Sequence, residues 1–265
     1  ALHVAFLRSD RAHAELRGLD TDDARAMPGV RAVLTADDLG PLGDFPAFLR
    51  QPTVDGRPLV VPRRPVLAEG RVRHVGELVA MVVAESAGAA RLAAEAILPD
   101  YADLPVLVGH EASATGADLH EEAPGNVAAC VEHGDAAAVA AACAAAALVV
   151  ETEVELPRVA PAPMEPMAAL ASYDAAREAF ELWAPHQGIA EQRRDLAATL
   201  GVPPERIRVR AERVGGAFGA RGAAFPETVA LLAAARRLGR PLRWQGTRGE
   251  GFQADYHGRA MRLRG

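Results

Sequence analysis

The chain has 265 residues, 50% hydrophobic and 24% charged, enough apolar material for one large domain or two smaller ones and too much for a disordered chain. Its net charge of −6 argues against a general nucleic-acid binder, and no apolar run approaches the roughly 20 residues that a membrane helix needs. All 29 basic residues are arginine, which excludes P-loop NTPases, Schiff-base enzymes and pyridoxal enzymes, since each needs a lysine amine.

Residues 3–9 read as a strand and 12–19 as a second extended stretch. Thr21-Asp22-Asp23 signals a helix start, and Pro28-Gly29 stops that short helix. Residues 30–35 read as a strand and 36–66, rich in Pro, Gly and Asp, as a loop. Residues 72–84 read as a strand pair or one bent strand, with the bend at Gly76. Ser86 caps a helix over 86–98 with apolar positions at Ala90, Ala93, Ala94 and Ile97. A strand is expected at 104–108. Residues 109–125 form a polar linker, and the domain boundary is placed there. Beyond it, Asp135 caps an alanine helix to about residue 147, and 148–156 alternates as a half-exposed strand. A proline-rich crossing leads to strands near 168–173 and 179–184, a helix over 188–200, a strand over 206–210 and a glycine-rich turn over 215–222. Pro226 opens a helix that Gly239 ends, and 242–247 is the final strand. Strands and helices alternate without a regular strand-helix-strand repeat, so the expected class is α+β.

The two cysteines, Cys130 and Cys143, form no disulfide framework or Cys-x-x-Cys site, so a reducing, cytoplasmic compartment is expected. No basic-then-apolar leader opens the chain, and both ends read as cut from a longer polypeptide. His120, Glu121, Glu122, Cys130 and His133 match no zinc spacing. Glu165, anchored among prolines, reads as a tie for backbone amides, and His186 without partner ligands as a satisfied polar residue. The turn Val214-Gly215-Gly216-Ala217-Phe218-Gly219-Ala220-Arg221-Gly222 is more informative. Its glycines free the backbone for positive φ and close approach to a ligand, and it lies between a strand and a helix, where N–H groups can face an anion. It is not Gly-x-Gly-x-x-Gly, so a dinucleotide fold is not supported. Gln187 stands at another strand-to-helix junction, a common place for function.

Taken in order, several segments resemble the large subunits of the molybdenum hydroxylases, the family of xanthine dehydrogenase, aldehyde oxidase and carbon monoxide dehydrogenase. They are Phe6-Leu7-Arg8-Ser9 with His13, Val72-Arg73-His74-Val75-Gly76-Glu77, the run from Arg158 to Pro166, Leu182-Trp183 followed by Gln187, the loop from Val214 to Arg221, Phe225-Pro226-Glu227, the run from Arg236 to Pro241, and Thr247-Arg248. The resemblance implies an α/β hammerhead domain over 1–108 and, over 126–265, the first part of a molybdenum-cofactor-binding domain. By motif it places Gln187, Gly216, Phe218 and Gly219 at the cofactor, with Gln187 and Phe218 near molybdenum and no direct metal ligand. It implies a molybdopterin, in its cytosine dinucleotide form for a bacterial chain, and hydroxylation with water as oxygen source. The expected partners are an iron–sulfur subunit, an FAD subunit, the C-terminal half of the large subunit, and a second copy of the complex.

The sequence also departs from the family. The family's catalytic glutamate lies far toward the C-terminus, and no residue here matches it, so no catalytic residue is assigned and the isolated fragment is expected to be inactive. Ala217 replaces a glycine and Arg221 the usual lysine. Gly222 stands where purine-oxidising members carry a substrate-binding glutamate, which leaves an aldehyde, carbon monoxide or another small substrate. The alternative is a non-catalytic binding or interaction module that retains the fold.

Overall fold

The structure is a computed structural model, and it describes residues 1–46, 53, 54, 56 and 59–265. In chain order the elements are β1 (Leu2–Arg8), β2 (Ala14–Asp20), α1 (Asp22–Ala26), β3 (Val30–Leu34), β4 (Arg71–Val72), β5 (Leu78–Ala84), α2 (Ala87–Glu95), β6 (Leu98–Asp103), α3 (Gly109–Thr115), α4 (Ala136–Ala145), β7 (Glu153–Leu156), β8 (Ala168–Asp174), β9 (Ala179–Trp183), α5 (Ile189–Leu200), β10 (Ile207–Arg210), α6 (Pro226–Leu238), β11 (Leu242–Gln245), α7 (Arg248–Ala254) and β12 (Met261–Arg264). The mixture of helices and mostly antiparallel sheet is the expected α+β class. Contacts divide the chain into two compact units.

The first unit comprises 1–46, 63–106 and 160–256. Its seven-stranded sheet runs β10-β9-β8-β11-β1-β5-β3. β1 and β11 pair in parallel, with Leu2 opposite Leu242 and Val4 opposite Trp244, so strands from both sides of the 109–125 linker share one sheet. β1 and β8 alternate: Leu2, Val4, Phe6, Ala169 and Ala171 are buried and join the main core. The helix α6 belongs to the same core and buries ten of its residues, from Pro226 to Ala235. Its alanines let the backbone approach the strands closely. β5 is buried along its whole length, as a strand covered on both faces must be, and Ala80 and Val82 form a second core with Ala93, Ala94 and Ile97 of the α2 region. A three-stranded antiparallel sheet, β4-β2-β6, encloses a small core of Ala14, Ala68, Val72 and Val79.

The second unit comprises 47–62, 107–159 and 257–265. Its β7 and β12 pair antiparallel, with Arg262 ion-paired to Glu111, Glu153 and Glu155. Asp135 caps α4 through the Ala138 N–H, yet every residue of α4 is exposed. Among the described residues, no helix is long and apolar enough to cross a membrane.

Several boundaries differ from the sequence expectation. The helix expected over 86–98 ends at Glu95, and the strand expected at 104–108 lies instead at Leu98–Asp103. β6 pairs with β2 through backbone bonds despite Pro99 and its acidic residues, which an edge strand tolerates. The apolar run at 104–108 is left in open coil, with Val106 and Val108 exposed. The residues read as a strand pair at 72–84 split between two sheets, turning at Gly76 with φ +90°. The expected linker holds α3, and α7 and β12 were not anticipated. Part of the loop expected over 36–66, namely 47–52, 55, 57 and 58, lies outside the described residues.

Candidate functional site

Three segments of the first unit meet at one edge of the large sheet: the proline-rich crossing before β8, the turn from β9 into α5, and the glycine-rich loop between β10 and α6. The β9 turn is fixed by its backbone. The Ala184 N–H donates to the Arg210 carbonyl at 3.1 Å, and the Gln187 N–H donates to the Arg221 carbonyl at 3.0 Å. Gln187 thus enters the loop's hydrogen bonding through its main chain, and its side chain remains exposed.

His186 locks the same turn. Its Nδ1 lies 2.9 Å from the Gly188 N–H and its Nε2 lies 3.2 Å from the Ala223 carbonyl. An N–H can only donate, so Nδ1 is the acceptor and Nε2 carries the proton. Burial pushes the pKa of this ring below its ordinary value, against the opposing effect of the two backbone contacts. Asp195 on α5 accepts from the Ala224 backbone, and burial pushes its carboxyl above the usual range.

The loop itself is bent into the left-handed region three times, at Gly216 (φ +106°), Phe218 (φ +50°) and Gly219 (φ +86°). Phe218 is the costly member, because a side chain is disfavoured there, and it is 78% exposed. A Cβ on Gly216 would stand 3.3 Å from Pro163 and from the Phe218 ring, whereas a Cβ on Gly219 would meet nothing within 4 Å. The backbone at Gly219 is therefore open to a ligand, and that at Gly216 is packed.

Glu165 closes the loop. Its Oε2 accepts from the Gly215 N–H at 2.8 Å and from Arg221 Nη1 at 2.6 Å, while Arg221 Nη2 donates to the Glu165 carbonyl. Glu165 thus ties a backbone amide, as expected of it, and also carries an ion pair that no sequence spacing announces. Arg248, in the first turn of α7, donates to the Pro163 and Met164 carbonyls at 2.5 and 2.6 Å. Thr247 and Glu250 cap that helix reciprocally, and Glu250 also pairs with the buried Arg8 at 3.0 Å, which meets Glu227 at 2.8 Å. A chain of polar contacts therefore runs from β1 to the candidate site.

A large cavity of this unit lies elsewhere. It has about 700 Å³, follows the sheet face beside Arg91 and Glu95 of α2, and reaches the candidate site only at Pro166 and Arg248. Among the described residues, no three His, Cys, Asp or Glu side chains gather to hold a metal ion, so a metal at this site would have to arrive with its own ligand frame.

Two family descriptions match the chain. That of the molybdopterin cofactor-binding domain covers residues 119–265, and that of the aldehyde oxidase and xanthine dehydrogenase a/b hammerhead domain covers residues 1–105. The chain is 34% identical over 260 residues to the nicotine 6-hydroxylase large subunit of Paenarthrobacter nicotinovorans, covering 97% of this chain and 31% of that protein. It is 31% identical over 275 residues to the carbon monoxide dehydrogenase large chain of Hydrogenophaga pseudoflava, covering 97% and 33%. The crystal structure of quinoline 2-oxidoreductase from Pseudomonas putida 86 superposes with a TM-score of 0.85 at 34% identity, over 98% of this chain and 33% of that one. The chain spans about a third of the length of these relatives.

Proposed function

The chain belongs to the molybdenum hydroxylase family of xanthine dehydrogenase, aldehyde oxidase and carbon monoxide dehydrogenase, and from that premise we propose that it forms the hammerhead and first cofactor-binding portion of a catalytic large subunit. The division at 109–125 is proposed as the border between those two family segments. The observation that carries the reading is the union of the Gln187 turn with the glycine-rich loop through the Gln187 N–H and the Arg221 carbonyl.

The residues fit a molybdopterin. Gly219 leaves open space where a side chain would stand, which suits a ligand edge lying against the backbone. Gln187, Phe218 and Gly219 would hold the group, with Gly216 packed against Pro163 and the Phe218 ring and the exposed Gln187 amide offering both a donor and an acceptor. When bound, the cofactor supplies two-electron oxidation of the substrate with water as oxygen source. The chain's own residues hold the geometry. His186 and the Gln187 backbone fix the turn to the loop, and Phe218 offers an exposed apolar surface to the group.

The proposed substrate is an aldehyde, carbon monoxide or another small molecule, and the relatives named for nicotine and quinoline add nitrogen heteroaromatics to the panel to be tried. The proposed cofactor form is the cytosine dinucleotide. The proposed partners are iron–sulfur and FAD subunits, the rest of the large subunit and a second copy of the complex. The test is co-expression with the complete large subunit and neighbouring electron-transfer subunits in a host that makes the dinucleotide. Molybdenum near one per large subunit, with dye reduction by one member of the panel, is the expected result. A well-folded complex without molybdenum would sink the reading.

A further inference from the structure

We propose that Glu165 and Arg221 are a positioning pair that holds the glycine-rich loop in the backbone conformation presenting Phe218 and Gly219. The proposal rests on the reading of this loop as the cofactor-facing surface.

Both ends of the loop converge on one carboxylate oxygen. Glu165 Oε2 receives the Gly215 N–H at 2.8 Å and Arg221 Nη1 at 2.6 Å. Between those ends lie the three left-handed residues Gly216, Phe218 and Gly219. Phe218 gains no burial to offset its unfavourable φ, being 78% exposed. Its conformation must be imposed from outside the residue, and the Glu165 contacts sit where they can impose it. The fit is close: a Cβ on Gly215 would lie 2.5 Å from the Glu165 Cβ.

The choice of arginine matters as well. The Arg221 side chain is 1% exposed, and its fork meets the Glu165 carboxylate with Nη1 and the Glu165 carbonyl with Nη2. A lysine ammonium is a point charge and lacks the fixed fork that spans both oxygens at once. Glu165 is in turn immobilised, because Arg248 grips the two carbonyls just before it. The pair therefore transmits the position of the proline-rich crossing to the loop.

The test compares Glu165→Gln, Arg221→Met and Arg221→Lys. In the cofactor-free chain, exchange of the Ala220 amide, which is buried and donates to the Ala217 carbonyl, is expected to rise at least about tenfold in the first two and less in Arg221→Lys, while exchange in α6 stays as in the parent. In the complete large subunit with its cofactor, Glu165→Gln is expected to lower kcat by about tenfold to a hundredfold with KM little changed, as a displacement near 1 Å would. In a Phe218→Ala background the same change is expected to add little, because its effect passes through the loop. Where Arg221→Met fails to fold, Arg221→Lys, which keeps the charge, carries the comparison. Unchanged exchange at Ala220, or losses from Glu165→Gln and Phe218→Ala that simply multiply, would overturn the proposal. Failure of the cofactor-surface reading shows differently: the parent protein takes up no molybdopterin while the exchange results remain as expected.

Discussion

His186 has each ring nitrogen committed to a backbone group of opposite polarity, and this makes the turn pH-sensitive. Its folded pKa is lowered by burial, so in acid the unfolded chain binds the proton more readily than the folded one. Its stabilising contribution is complete above the ordinary value of 6.5 and is lost as the pH falls below it toward the folded value. Protonation also removes the Nδ1 acceptor from the Gly188 N–H, so Gly188 should lose amide protection as the pH falls below 6.5, after correction for intrinsic exchange. His186→Asn should abolish that dependence, and constant protection in the parent over this range would refute the assignment. Gly215 gives a second prediction. Gly215→Ala places a Cβ 2.5 Å from that of Glu165, so the loop must move, and a destabilisation of about 1–3 kcal/mol is expected in urea titration. At this scale the sequence reading was uneven for physical reasons. That Gln187 and the loop glycines lie in turns was legible because turn chemistry is local. Glu165 was legible as an amide tie for the same reason. Its pairing with Arg221, 56 positions away, and the grip of Arg248 on Pro163 were not, because long-range ion pairs leave no periodicity.

Helix ends carried the clearest local signals. Pro226 and Gly239 bracket α6, with Gly239 left-handed at φ +61°, and the Ser86 side chain caps α2 by accepting from the Ala89 N–H. Strand β6 was missed because its pairing is a backbone matter: the sequence Leu-Pro-Asp-Tyr-Ala-Asp has neither alternation nor β-branching, while the more apolar 104–108 has no strand to meet. Elements are joined by the buried Arg8 network, which links β1 to α6 through Glu227 and to α7 through Glu250. Burial works against the Arg8 charge, but the two carboxylates outweigh it and its pKa is raised. Arg8→Met should cost about 3–5 kcal/mol, because Glu227 would be left charged and buried without its counter-ion. The double variant Arg8→Met, Glu227→Gln should recover much of that loss. If the single and double variants melt alike, the cost comes from packing and not from charge.

At the scale of the molecule, the two units are stabilised unequally. The first has continuous cores, whereas α4 in the second buries none of its residues, and Leu148, Val149 and Val150 stand exposed beside it in sequence. Such apolar surface favours association, so the 265-residue chain alone should self-associate as its concentration rises, a trend that sedimentation velocity would read. The same chain should show no hydroxylase turnover and hold molybdenum well below one per chain. A general base must be free to reach the proton it takes. Glu165 is held by Gly215 and Arg221, and Glu227 is buried against Arg8, so neither of these two is free. The loop side of the site is also open: Phe218 is 78% and Met164 90% exposed, so water screens the field that a closed site would exert. Purification from a host that makes the dinucleotide, followed by metal analysis and aldehyde-dependent dye reduction, measures both. Stoichiometric molybdenum with turnover would mean that a base lies among these residues after all; Glu165→Gln and Glu227→Gln would then show whether either carboxylate leaves its partner to serve.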